Sequence, residues 1–139
     1  MTMMVDGPEF KRSLLAVPSS VGLARDLTEV QLRKWDLAEA MADATLVVSE
    51  LLTNAVAANR GKLVEFEMYL LPGALMIEVW DPSFEPPKPR TAGVDETSGR
   101  GLTIVEYITE AWGTRWPQRG GKTVWARIPF QGHPGSPQR

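Results

Sequence analysis

The spacing of apolar residues changes period along the chain, and each change marks an element. Residues 1–9 carry no such pattern and read as a flexible leader. Phe10 to Val17 is a short apolar run, read as a first strand. Pro18, Ser19 and Ser20 break it and offer a helix N-cap. Val21, Leu23, Ala24, Leu27 and Val30 then recur at helical spacing and predict a helix ending near Lys34. Asp36 is placed to cap a second helix, whose stripe is Met41, Val48, Leu51, Leu52, Ala55 and Val56. Asn59-Arg60-Gly61 is the signal that stops it.

From Lys62 the period becomes two. Val64, Phe66, Met68 and Leu70 alternate with Glu65, Glu67 and Tyr69; after the turn Leu71-Pro72-Gly73-Ala74, Leu75, Ile77 and Val79 alternate with Met76, Glu78 and Trp80. This predicts a hairpin with one face in the core. Residues 82–98 hold Pro82, Pro86, Pro87, Pro89 and Gly93 and read as a long loop of the kind that forms lids. Leu102, Val105 and Ile108 then share a face of a short helix. Two further strands, 110–116 and 122–130, are joined at 118–121. In the last, Val124, Ala126 and Ile128 face one way and Thr123, Trp125 and Arg127 the other. Strands in hairpins and helices grouped together predict an α+β fold, a two-layer sandwich of a mostly antiparallel or mixed sheet with helices on one face. One domain is expected over 10–131, with a disordered tail at 132–139.

Composition removes several function classes. A chain of 139 residues with a net charge of −2 has spread, not clustered, basic residues, so direct nucleic-acid binding is not expected. With no cysteine there is no disulfide framework and no thiolate site, which suits a reducing cytoplasm. No run reaches the ~18 apolar residues of a membrane span, and the first residues lack a secretory pattern. The single histidine, His133, lies in the tail, which argues against a core histidine base or ligand.

Glu50 and Asn54 are four apart, so they stack on one helix face beside the apolar stripe. A carboxylate under an amide there suits a metal-bound phosphate; a solvated acid and a tolerated amide is the plainer alternative. Asp81 continues the parity of Leu75, Ile77 and Val79 and leaves its strand on the buried side. It therefore needs a partner, either an adenine amino group or a backbone N–H in a turn with Pro82. Gly121-Lys122-Thr123 looks like the end of a P-loop, but the first glycine would fall on Trp116 and a strand follows where a helix is required. Gly99 and Gly101 precede a helix, where backbone N–H groups and the helix N-terminus favour an anion.

These pieces together resemble the GHKL ATPase superfamily with its Bergerat fold, and more closely the stand-alone anti-sigma-factor serine/threonine kinases and their actinobacterial relatives. Glu50-Leu51-Leu52-Thr53-Asn54-Ala55 matches the N box, and Val79-Trp80-Asp81 the strand entering the adenine box. Ser98-Gly99-Arg100-Gly101-Leu102 matches the glycine box, and Gly121-Lys122-Thr123-Val124-Trp125 the terminal strand. The resemblance spans about Val17 to Pro129, with the motifs in family order.

What it implies is as follows. Asn54 would offer an oxygen to Mg²⁺, and Glu50 would orient or deprotonate the attacking group. Asp81 would accept from the adenine of ATP. Gly99, Arg100, Gly101 and Leu102 would hold the phosphates, and Thr123 would touch the adenine end. The protein would be a cytoplasmic anti-sigma factor that phosphorylates a STAS-type anti-anti-sigma partner on Ser or Thr and sequesters a sigma factor; relatives often form homodimers. The alternatives are a partner-sequestering module with weak or no ATP turnover, and a detached histidine-kinase catalytic domain. Two positions depart from the family pattern: Pro82-Ser83-Phe84-Glu85-Pro86-Pro87 replaces a glycine-bearing adenine box, and Thr97 stands where the kinases carry an arginine.

Overall fold

A computed structural model describes residues 8–87 and 101–130, with backbone alone at 101–104. The elements run β1 (Glu9–Leu15), α1 (Ser19–Lys34), a 3-10 turn at Ala38–Ala40, α2 (Met41–Ala58), β2 (Leu63–Leu71), β3 (Ala74–Asp81), α3 (Gly101–Ile108), β4 (Ala111–Arg115) and β5 (Lys122–Pro129). The strands form one sheet in the order β1-β2-β3-β5-β4, antiparallel at every pairing. This is the expected α+β sandwich, with no parallel pairing among the described residues.

The alternating runs do what their period requires. Val64, Phe66 and Met68 of β2, Leu75, Ile77 and Val79 of β3, and Val124, Ala126 and Ile128 of β5 share one sheet face and are buried. Onto that face α2 sets Val47, Val48, Leu51, Leu52 and Ala55, while α1 and α3 pack against α2. Each fully buried side chain of the size of Phe66 or Leu52 contributes about 1.5–3 kcal/mol. Ala38–Ala58 is long and apolar enough to cross a bilayer by length and composition alone. Its apolar stripe is already spent on the sheet and α1, as a core helix requires.

Two local expectations are corrected. Ser20 does not cap α1; its hydroxyl donates to the Leu15 carbonyl and ties the helix to the end of β1, which stops at Leu15 and not at Val17. Asp36 does not open the second helix but closes the first. It sits at φ 60°, its N–H donates to the Arg33 carbonyl at 3.1 Å, and the Leu37 N–H donates to the Leu32 carbonyl at 2.8 Å. That is a left-handed C-terminal cap, with Leu32 and Leu37 both buried beneath it. At the far end of α2, Gly61 (φ 81°) turns the chain into β2 as expected.

β3 is covered on both faces, although only one was expected to be buried. Glu78, on the face away from α2, is 6% exposed. It accepts from Arg115 Nη2 at 2.6 Å and from the Tyr69 hydroxyl at 2.7 Å. Burial and then the Glu78 hydrogen bond push the Tyr69 phenol up, and the Glu78 hydrogen bond raises Arg115. Burial, with Glu78 beside it, pushes Glu67 above the usual carboxylate range. Nearby, Arg119 stacks 3.9 Å above the Trp80 ring and pairs with Glu65 at 2.9 Å, a hydrogen bond that holds the Glu65 carboxyl below its ordinary range.

Candidate functional site

A cavity of about 440 Å³ opens between the C-terminal half of α2 and the ends of β3 and β5. The sequence leaves it open because small side chains face it: Thr53, Ala57 and Ala58 from the helix, Val79 and Val124 from the strands. Asn54 forms part of the helical wall. Asp81 and Lys122 form the strand wall, and Glu85, Pro86 and Pro87 close one side.

Asp81 and Lys122 are register partners across β3 and β5, both at core parity. Their side chains are 2% and 4% exposed, and Lys122 Nζ lies 2.9 Å from Asp81 Oδ2. The ammonium also donates to Oδ1 at 3.1 Å and to Ser83 Oγ at 2.9 Å. Ser83 N–H donates to Asp81 Oδ1 at 2.9 Å, closing a turn over Pro82. Two buried charges thus neutralise each other and have hydrogen-bond partners, the condition under which such burial is tolerated.

The β4–β5 turn puts Lys122 there. Gly121 has φ 73°, and a Cβ on it would collide with the Asp81 carbonyl oxygen. Only glycine lets the turn come so close to the end of β3. Trp80 Nε1 fixes the same approach by donating to the Gly120 carbonyl at 2.9 Å.

Of the residues singled out in the sequence, Asn54 and Asp81 meet on this cavity. Glu50 is half-buried one helical turn before Asn54 and is not in the wall. Gly101 is the first residue of α3, and Leu102 follows it with its side chain outside the described residues. Gly99 and Arg100 lie outside them altogether. Thr123 pairs with Trp80 and lies on the opposite face of the sheet. It lines a separate polar recess with Glu78, Arg115 and Arg119. Lys122 was missed, although its alternation with Val124, Ala126 and Ile128 already put a charge at core parity.

The family model for the histidine kinase-like ATPase domain matches residues 14–128. The chain belongs to that family. ATP binding follows from membership in an ATPase-domain family, and the cavity is within the ~300–1,000 Å³ usual for small-molecule sites. In this histidine kinase-like ATPase domain the match includes every element from α1 to α3 and β4, and nearly all of β5. No curated protein matches the chain.

Proposed function

We propose that this ATPase domain is a cytoplasmic anti-sigma regulator that binds Mg-ATP and phosphorylates a Ser or Thr of a STAS-type anti-anti-sigma partner. The observation that carries the reading is the convergence of Asn54 and Asp81 on one cavity of nucleotide size. The ordered family motifs support the partner-switching role, in which a sigma factor is held until the antagonist displaces it. Asn54 suits Mg²⁺, which takes oxygen ligands and keeps phosphate and water in its shell. Among the described residues no group of three or more His, Asp or Glu is placed to hold a metal without such help.

Bound ATP supplies the transferable γ-phosphoryl group. The remaining work falls to the chain. Asn54 would hold Mg²⁺ at the phosphates, and Asp81 would accept from the adenine amino group with the oxygen valence that Lys122 and Ser83 leave free. Glu50 would take the proton of the partner's hydroxyl while that hydroxyl oxygen bonds to phosphorus and ADP leaves. The glycine-box resemblance gives the phosphates to residues 99–102, whose backbone N–H groups would hold them.

The test is labelled Mg-ATP with purified protein and its cognate antagonist. Phosphoserine or phosphothreonine should appear, and Glu50→Gln should lose the label while still binding nucleotide. Equal labelling by that variant removes Glu50 as the base.

A second reading, a partner-sequestering module that holds nucleotide weakly and does not turn it over, is favoured by one observation: an adenine amine has to share the Asp81 carboxylate with Lys122 and Ser83 N–H, which already engage it. Calorimetry separates the two. Heat with Mg-ATP that falls in Asn54→Ala, without any phosphorylated partner, selects the binding module.

A further inference from the structure

Among the described residues, Lys122 is the one buried charge in the cavity wall to which the reading above gives no part. Its ammonium has three N–H donors and no acceptor. It holds Asp81 Oδ2 at 2.9 Å, Oδ1 at 3.1 Å and Ser83 Oγ at 2.9 Å. These partners are not equivalent. Asp81 is a buried counter-charge, and giving it up would strand the ammonium. Ser83 is a neutral hydroxyl in the half-buried turn after β3. Of the three contacts, only the Ser83 one can be exchanged for a ligand acceptor without stranding a charge.

The wall therefore offers a donor beside an acceptor: the Lys122 ammonium next to the Asp81 carboxylate. Oδ1 already accepts from Ser83 N–H and Lys122, whereas only Lys122 reaches Oδ2 among the contacts described. A ligand edge that fits this pair carries an amine beside a ring acceptor. Adenine has that edge, with N6 as the donor and N1 as the acceptor.

We propose that Lys122 is a specificity-determining residue for the base: it exchanges Ser83 for adenine N1 while Asp81 takes the N6 amine. The inference rests on the ATP-binding reading. It adds that the base is read by a charged donor from β5 and that reading it releases Ser83, the residue tethering the segment at Pro82–Pro87. A ligand without that acceptor leaves the ammonium on Ser83, so its penalty is the difference between two charge-assisted hydrogen bonds, about threefold or more in affinity.

The experiment is calorimetry on the full chain with Mg-ATP, Mg-GTP and Mg-1-deaza-ATP, in which N1 is a C–H. Wild type should bind 1-deaza-ATP about threefold or more weaker than ATP. Lys122→Met should bind the two within about twofold, having no donor to lose. Ser83→Ala removes the bond that must be given up and should bind ATP more tightly than wild type. Equal affinity of wild type for ATP and 1-deaza-ATP overturns the role of Lys122 and leaves ATP binding intact. Tighter GTP than ATP, or weaker ATP binding by Ser83→Ala, also overturns it. No heat with any of the three nucleotides overturns both readings. The wild-type comparison needs no variant, so a fold damaged by Lys122→Met does not weaken the test.

Discussion

Replacing Asp81 with Asn takes one charge from a pair that water barely reaches. The two side chains are 2% and 4% exposed and sit 2.9 Å apart. At that separation, with an effective dielectric of about 20, their attraction is about 5–6 kcal/mol. Desolvation of the two ions offsets most of it, so the intact pair adds little net stability. Removing one partner leaves the other's desolvation uncompensated, a loss of about 3–5 kcal/mol. Against a domain stability of about 5–15 kcal/mol this is large. With a urea m-value near 2 kcal/mol/M, the unfolding midpoint falls by about 1.5–2.5 M. Asn keeps an oxygen for Ser83 N–H, so the loss belongs at the lower end of that range. Lys122→Met should lose a similar amount. The double variant, with no charge left, should return to within about 1 kcal/mol of wild type. The assay is urea unfolding of all four proteins at one pH, with m unchanged across the set. A single variant that loses under about 1 kcal/mol, or a double variant that loses the sum of the singles, refutes the reasoning.

Four other substitutions, one of them a control, test separate parts of the fold. Gly121→Ala meets both a positive φ and the Asp81 carbonyl, whereas Gly61→Ala meets positive φ with nothing within 4 Å. Strain alone is worth about 1–3 kcal/mol, so Gly121→Ala should melt well below Gly61→Ala; equal melting temperatures would remove the close approach from the account. Glu67 has its pKa raised by burial and by Glu78, so its ionisation opposes folding. The opposition is complete above the folded-state pKa and absent below the unfolded one, near 4.3. Glu67→Gln should therefore stabilise at pH 7 and lose that gain as pH falls below about 4; a gain persisting at pH 3 speaks against it. Asp36→Gly relieves a side chain held at φ 60° and should raise stability by about 0.5–1 kcal/mol. Thermal unfolding that shows a loss would mean that the Asp36 side chain holds the cap.

Strict alternation made the β2–β3 hairpin legible, and with it the inward direction of Asp81. The helical stripe of α2 was legible for the same reason, and it carried Asn54 to the cavity wall. Asp36 was not, because Asp favours both helix caps and left-handed turns. The hydrogen bond from Leu37 N–H to the Leu32 carbonyl, with both side chains buried, decides between them, and it exists only in three dimensions. Lys122 is a subtler case. Its parity was readable, but its partner depends on the register of β5 against β3, which alternation does not fix. The same alternation separates Thr123 from the cavity: it shares a face with Trp80, not with Asp81. A backbone N–H in a turn with Pro82 and an adenine amine were alternative partners for Asp81. Ser83 supplies the first, on Oδ1, and the Lys122 ammonium, a partner not foreseen, lies 2.9 Å from Oδ2.

The two charged residues of the cavity wall are 41 positions apart in the chain, on strands with a neighbour along each edge. Nothing local brings them together; each is an isolated ion until the sheet has closed in register. Contacts of such long sequence separation form late and slowly. A nucleotide that reads this wall thus has no purchase on a half-assembled chain. It acts as an inspector of finished molecules, withdrawing them from the refolding equilibrium in proportion to its concentration.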